Sequence, residues 1–227
     1  MKIGTKYLLI KGVAMNKQWK RPENLFLLNE QKAAFIIIDM QNFSCTPIGR
    51  DPLVRIDTII QQINKLADFC RELHIPVIWV RHNLTMTNLQ DDSGLFKLFH
   101  DKNHMNNIIN LDKGTEIYAA MHFDSIQDHI VFKNRYSAFL SDPPELDTLL
   151  KKLKKNQLLV AGVAANVCVE STLRDAMQLD YEVILVSDGI TATDDAMLKS
   201  TLENTYRFFG DVRMVSDIIH VFEDNKL

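Results

Sequence analysis

The feature that most constrains the fold of this chain is an alternation between short apolar runs and longer segments with helical periodicity. Residues 33–38 (AAFIII) form a continuous apolar run, typical of a strand buried on both faces. Over residues 52–73, apolar side chains recur every three or four positions, which predicts a helix with one buried face. The same pattern predicts further strands at residues 76–80, 129–132, 157–161, 181–186 and 212–215, and further helices at residues 144–155, 166–179 and 194–209.

Strands separated by crossover helices pair in parallel, and right-handed crossovers place helices on both faces of one sheet. The predicted fold is therefore α/β: a three-layer α/β/α arrangement with a doubly wound, mostly parallel sheet of about six strands. We assign residues 1–30 to an N-terminal extension, 31–222 to a single domain and 223–227 to a C-terminal tail. Residues 81–127 have the weakest pattern, and we expect there a loop over the ligand-binding edge and a short helix near residues 115–120.

Composition excludes several classes of protein. The formal net charge of -3 argues against a nucleic-acid partner, and no apolar stretch approaches the roughly 20 residues that would span a bilayer. Lys11 interrupts the apolar run at residues 7–10 too early for a signal peptide, and the sequence leaves open whether Met1 or Met15 is the start. Three irregularly spaced cysteines do not form a disulfide framework, so we expect a cytoplasmic protein.

Three reactive side chains follow predicted strands. Asp39 and Lys133 come directly after the first and third of these strands, and Cys168 lies where the fourth turns into a helix. Each has an ordinary alternative, as a turn residue, a solvated lysine or a small apolar core residue. The carboxyl ends of parallel strands share one edge, and such sheets bind ligands there. The presence of three reactive residues at that one edge favours a catalytic site.

The chemistry of these groups explains the combination. A thiolate is the nucleophile, but a free cysteine has a pKa of about 8.5 and is mostly protonated near neutral pH. A helix N-terminus and the Lys133 ammonium would both stabilise the Cys168 anion, and Asp39 would accept the thiol proton and return it to a leaving amine. Small residues in the turn at 162–168 (GVAANVC) allow backbone N–H groups to serve as an oxyanion hole.

Three motifs resemble those of the isochorismatase-like cysteine hydrolases, in that family's order. They are residues 37–43 (IIDMQNF), 133–139 (KNRYSAF) and 161–172 (AGVAANVCVEST), and the resemblance extends over about residues 33–219. It is greatest to the amidohydrolase branch, which includes the ureidoacrylate, biuret and N-carbamoylsarcosine hydrolases. The resemblance implies that residues 31–222 form a hydrolase domain and that Asp39, Lys133 and Cys168 form its catalytic triad.

The resemblance implies further properties. A cis peptide is expected at Val163–Ala164, with the N–H groups of Ala164 and Cys168 as the oxyanion hole. The implied reaction is hydrolysis of a carbon–nitrogen bond in a small amide or ureide through a thioester acyl-enzyme, without a cofactor. We expect a homodimer or homotetramer. The chain departs from the family pattern where Phe43 directly follows Asn42, with no Asp between them, and where Ala165 replaces a common Thr.

Four residues are candidates for substrate binding: Phe43, Arg81, Arg135 and Tyr136. The two arginines would be suited to anchoring a carboxylate, although a surface or interface salt bridge is an equal alternative for Arg135. The sequence does not identify the substrate.

A metal site is not expected. Nicotinamidases of this family bind a metal through an Asp-x-His motif after the second strand, and residues 79–84 (WVRHNL) lack that motif. We interpret His82 as a pocket or structural residue. His100 and His104 lie four residues apart without the acidic residue of a zinc-protease pattern, and we interpret them as a surface pair.

Three other functions remain open at this level. The first is hydrolysis of an enol ether, as in true isochorismatases, and the second is a non-catalytic binding protein on the same fold. The third is a redox role for Cys168 with Cys45 as its partner, since a reactive thiol is also oxidisable. Cys70 is predicted to lie in the core.

Overall fold

The structure is a computed structural model, and it describes residues 9–10, 13–14, 24–46, 53–82 and 114–224. Two short strands, β1 (Leu9–Ile10) and β2 (Val13–Ala14), pair with each other in antiparallel orientation. Within the described ranges, no helix is long and apolar enough to cross a membrane.

Six parallel strands form the central sheet, which confirms the predicted α/β fold. In sheet order they are β5 (His129–Lys133), β4 (Val77–His82), β3 (Ala33–Ile38), β6 (Gln157–Gly162), β7 (Glu182–Ile190) and β8 (Asp211–Arg213). From β3 the chain first builds outwards through β4 to β5 and then returns to β6 on the other side of β3. Ligands of such sheets bind where the order reverses, beyond the carboxyl ends of β3 and β6.

Helices connect these strands. They are α1 (Asn42–Cys45), α2 (Ile56–Glu72), α3 (Glu145–Leu153), α4 (Glu170–Gln178), α5 (Asp195–Asn204) and α6 (Val215–Asp224), with π-helical turns at Ala165–Val169 and Thr205–Phe209. The predicted helices at residues 166–179 and 194–209 are thus each divided between a π-helical turn and an α-helix. The two types share a similar spacing of apolar side chains, so the periodicity did not separate them.

One sequence prediction of secondary structure was wrong, and one predicted strand ends earlier than expected. The expected helix at residues 115–120 is a series of turns, whose backbone pairs with the residues after β3. The expected last strand at residues 212–215 is β8, which ends at Arg213, and Val215 instead begins helix α6. A segment of only four residues (VRMV) is too short for its pattern to distinguish the end of a strand from the start of a helix.

The core lies on both faces of the sheet. All six residues of β3 are buried, with Ile36 and Ile38 on one face and Phe35 and Ile37 on the other. The first face packs on α3, α4 and α5, and the second on α2 and α6. Because each face is covered by helices, the central strands are continuously apolar rather than alternating.

Residues 24–30, which the sequence analysis assigns to the N-terminal extension, are bound to the sheet by buried polar side chains. The N–H groups of Leu25 and Phe26 donate to the carboxylate of Asp211 in β8. The Gln157 side chain at the start of β6 donates to the Leu27 carbonyl and accepts from the Asn29 N–H. Residues 25–29 are therefore hydrogen-bonded to the starts of β6 and β8.

Candidate active site

The ends of β3 and β6 hold two residues in left-handed backbone conformations. Asp39, directly after β3, has φ 52°, and its N–H donates to the Val80 carbonyl 3.0 Å away. Gly162, the last residue of β6, has φ 117°. A left-handed aspartate costs about 1–2 kcal/mol relative to an ordinary conformation, so surrounding contacts must hold Asp39 in place.

Lys133 connects the other two predicted catalytic residues. Its Nζ lies 2.9 Å from Asp39 Oδ2 and 3.3 Å from Cys168 Sγ, and it also donates to the Arg135 carbonyl at 3.1 Å. Lys133 is 1% exposed, Asp39 3% and Cys168 4%. The structure therefore brings together three side chains from three separate strand ends in a nearly dry environment, where their charges interact strongly.

The charges at this cluster keep the lysine protonated. Burial alone would lower the pKa of Lys133, but the adjacent charges of Asp39 and Cys168, together with the hydrogen bonds to them, raise it above its usual value. Asp39 Oδ2 forms the ion pair with Lys133. The other carboxylate oxygen, Oδ1, is buried and has no hydrogen-bond partner among the residues that the structure describes. That oxygen is chemically suited to accept a proton from a neighbouring group.

Residues 163–165, between β6 and Cys168, form a turn at the same edge of the sheet. The Val163–Ala164 peptide is cis. On either side of Ala164, the Val163 N–H donates to the Ile38 carbonyl at 2.9 Å and the Ala165 N–H donates to the Thr191 carbonyl at 2.8 Å. Cys168 lies in the π-helical turn that follows, immediately before α4.

Gln41 is a buried polar residue of the site to which sequence reasoning assigned no role. It is 0% exposed, and its amide oxygen accepts from the His82 N–H at 2.7 Å. Its amide nitrogen donates to the carbonyls of His82 and Thr115, at 3.3 Å and 2.6 Å. Gln41 thus joins the turn after Asp39 to the end of β4. The available signal was a glutamine two residues after Asp39, the predicted catalytic aspartate.

Phe43 and Arg81, two of the predicted substrate-binding residues, make structural contacts. Phe43 is 2% exposed, and its N–H donates to the Gly114 carbonyl at 2.9 Å. The Arg81 guanidinium donates twice to the Thr115 carbonyl, at 2.9 Å and 2.6 Å, and lies 5.3 Å from the centre of the Phe132 ring. None of these contacts links Arg81 to the triad.

Arg135 and Tyr136, the other two candidates, lie on the segment that carries Lys133. The Arg135 carbonyl accepts from Lys133 Nζ, while its guanidinium donates to the Asn134 carbonyl at 2.9 Å. Tyr136 is half-buried and packs against the core cluster that contains Cys168. The contact with the triad is thus made by the backbone of Arg135, through its carbonyl oxygen.

The histidines and the other two cysteines considered in the sequence analysis have different surroundings. His82 is buried, and its backbone is in register with Lys133 on the neighbouring strand. His100 and His104 fall outside the described residues. Within the described residues, no three metal-ligating side chains cluster together. Burial, with a smaller contribution from Asp39, raises the pKa of Cys45 to about 12, and burial also raises the pKa of Cys70.

Comparison with known proteins gives consistent matches over most of the chain. Residues 33–217 match the profile of the isochorismatase domain. The ureidoacrylate amidohydrolase RutB of Rhizobium rhizogenes is 30% identical over 215 residues, covering 87% of this chain and 85% of that protein. RutB of Agrobacterium fabrum is also 30% identical, over 219 residues that cover 88% of this chain and 94% of that protein.

Solved structures show the same architecture. A cysteine hydrolase from Pseudomonas syringae pv. phaseolicola superposes with a TM-score of 0.79 at 28% identity, covering 91% of this chain and 99% of that one. The N-carbamoylsarcosine amidase of Thermoplasma acidophilum superposes with a TM-score of 0.64 at 22% identity, covering 81% and 96% of the two chains, and that likeness concerns the fold.

Proposed function

The chain belongs to the isochorismatase domain family of hydrolases, and from this membership we propose that it is a cysteine hydrolase that cleaves a carbon–nitrogen bond in a small amide or ureide. The observation that carries the proposal is the position of Lys133 Nζ, which contacts both Asp39 Oδ2 and Cys168 Sγ. An ammonium group shared by a carboxylate and a sulfur stabilises the thiolate and holds the proton acceptor beside it.

In the first half-reaction, the Cys168 thiol gives its proton to Asp39, and its sulfur adds to the substrate carbonyl carbon. The backbone N–H groups of Ala164 and Cys168 would bind the resulting oxyanion. The tetrahedral adduct then collapses, the carbon–nitrogen bond breaks, and Asp39 returns the proton to the departing nitrogen. Ammonia or an amine leaves, and the acyl group remains on Cys168 as a thioester.

In the second half-reaction, water adds to the thioester carbonyl while Asp39 accepts one of its protons. The carbon–sulfur bond then breaks, and the proton passes to the Cys168 sulfur. The acid product leaves and the thiol is regenerated. Lys133 remains an ammonium throughout, which agrees with the raised pKa of its side chain.

Ureido acids are the first substrate class to test, because the two RutB relatives are ureidoacrylate amidohydrolases. Arg135 and Tyr136 lie on the segment that carries Lys133 and are proposed to contact the substrate. We also propose a homodimer or homotetramer, which light scattering of the purified protein would test.

The test is ammonia release from ureidoacrylate, biuret, N-carbamoyl amino acids and nicotinamide, with isochorismate assayed separately. We expect turnover of at least one amide or ureide, unchanged by chelator, that falls by at least about three orders of magnitude in Cys168→Ala. Cys70→Ala is the matched control, because Cys70 is a fully buried core thiol and its loss should leave the rate constant intact. Ammonia release that survives Cys168→Ala, or activity only on isochorismate, would contradict the proposal.

A further inference from the structure

Thr172, one turn after the nucleophile on helix α4, makes two hydrogen bonds through one hydroxyl group. Its Oγ1 donates to the Cys168 carbonyl at 2.7 Å and accepts from the Ala138 N–H at 3.1 Å. Thr172 is 1% exposed, so neither bond is open to competition from solvent. A hydroxyl is among the few side-chain groups that can donate and accept at once, and here both capacities are used.

These two bonds join the two segments that supply the sulfur and the ammonium. Ala138 belongs to the segment that begins at Lys133, and Cys168 belongs to the turn that enters α4. The same segments also meet directly, where Lys133 Nζ donates to Cys168 Sγ at 3.3 Å. The segments are therefore connected both at the reacting atoms and behind them.

We propose that Thr172 is a positioning residue that sets the distance between Lys133 Nζ and Cys168 Sγ by tying the lysine segment to the nucleophile turn. The inference rests on the proposed cysteine chemistry and adds a residue that does not touch the substrate. The thiolate depends on a nearby ammonium, and this interaction weakens as the distance grows. Loosening the connection behind the two atoms would reduce the thiolate fraction at neutral pH without removing either group.

Alternative roles for Thr172 predict different effects. If it served only to stabilise the fold, its loss would lower the unfolding temperature and leave the pH dependence of Cys168 unchanged. If its methyl group mattered for packing, Thr172→Val would be harmless and Thr172→Ser harmful. The positioning role predicts the reverse order, because serine keeps the hydroxyl and valine keeps only the shape.

The experiment is the rate of Cys168 alkylation by iodoacetamide as a function of pH in the full-length protein, which needs no knowledge of the substrate. Wild type should react rapidly at neutral pH. In Thr172→Val we expect the midpoint of the pH profile to rise by about half a pH unit or more, with a slower rate at neutral pH. Thr172→Ser should restore the wild-type profile. Thr172→Ala provides a second variant without the hydroxyl, in case the valine variant does not fold.

Thr201→Val is the matched control. Thr201 is also a fully buried threonine, and its hydroxyl donates to the Glu170 carboxylate of the same helix α4, at 2.7 Å. It contacts neither the Lys133 segment nor the Cys168 carbonyl, so the variant should lose stability and keep the wild-type alkylation profile. An equal shift in Thr201→Val would mean that any loosening of α4 suffices, and it would overturn the proposal.

Each remaining outcome also decides a question. A wild-type profile in folded Thr172→Val or Thr172→Ala overturns the positioning role and leaves the proposed function standing. A serine variant as slow as the valine variant overturns the hydroxyl argument. A wild-type protein whose Cys168 reacts no faster at neutral pH than an ordinary thiol would contradict the proposed function itself, and with it this inference.

Discussion

Gly162 approaches Ile38 so closely that a β-carbon added to the glycine would lie 2.1 Å from the Ile38 carbonyl oxygen. The two residues face each other in the β3–β6 pair, at the point where the sheet ends. The next residue on one strand is Asp39 and the next on the other is Val163, whose N–H donates to the same Ile38 carbonyl at 2.9 Å. This contact places Asp39 next to the turn that leads from β6 to Cys168.

We therefore expect Gly162→Ala to destabilise the protein by at least about 2 kcal/mol, because the side chain meets backbone and φ 117° disfavours it. Urea unfolding measures this loss. Gly189→Ala is the control, since its β-carbon would lie 3.1 Å from Ala161 Cβ and from Val186 Cγ1, a far smaller overlap than the one with Ile38. Equal losses in the two variants would show that the contact with Ile38 is not the cause.

Alkylation with iodoacetamide near neutral pH should modify Cys168 alone. Burial and the charge of Asp39 raise the pKa of Cys45 to about 12, and burial raises the pKa of Cys70, so both remain thiols. Mass spectrometry of the peptides should find one label per chain, and none in Cys168→Ala. Labelling of Cys45 at a comparable rate would contradict the prediction.

The ion pair between Asp39 and Lys133 should show strong coupling in a double-mutant cycle of unfolding free energies. Lys133→Met leaves a buried carboxylate without its partner, which typically costs about 3–5 kcal/mol. The double variant Asp39→Asn/Lys133→Met should be less destabilised than the sum of the single variants. Both single variants should lose hydrolytic activity.

An exposed pair supplies the comparison. Lys151 Nζ lies 2.6 Å from Asp147 Oδ2, but the lysine side chain is 72% exposed, so Lys151→Met should cost less than about 1 kcal/mol. Additive effects at Asp39 and Lys133, with no more coupling than at this surface pair, would contradict the buried ion pair.

Asp188 should make stability depend on pH. Its Oδ1 accepts from the Val215 N–H at the start of α6, at 2.9 Å, yet burial raises the pKa of Asp188 above its ordinary value. The folded protein therefore binds this proton more tightly than the unfolded chain. The resulting stabilisation is fully present below the unfolded pKa of about 3.9 and is lost as the pH rises through the folded pKa.

Asp188→Asn keeps the acceptor oxygen without the charge. We expect it to raise the unfolding temperature at about pH 7.5 and to have little effect at about pH 4. Asp194→Asn, at an exposed helix cap whose side chain accepts from the Met197 N–H, is the control and should show no comparable gain. A gain in Asp188→Asn that is equal at both pH values would contradict the burial argument.

The pattern of apolar residues predicted the sheet well. Helices cover both faces of the central strands, so these strands are continuous apolar runs, as at residues 33–38. The same reasoning failed where two structures share one pattern. Residues 166–169 were predicted to begin an α-helix but belong to a π-helical turn, and Val215 was predicted to end a strand but begins α6. The spacing of apolar residues does not distinguish an α-helix from a π-helical turn, or the end of a strand from the start of a helix. Which structure forms depends on the residues that pack against the segment.

The sequence by itself determined the order of the elements, the two-sided burial of the strands and the three reactive residue types placed after strand ends. Only the tertiary structure decided which side chains meet. Lys133 and Cys168 are 35 residues apart, and they meet because the parallel sheet places the carboxyl ends of β5 and β6 at the same edge. Arg81 lies near the carboxyl end of β4, yet its guanidinium donates to the Thr115 carbonyl. The physical reason is that a residue's position along a strand is local, whereas its partner is chosen by the long-range packing of the whole sheet.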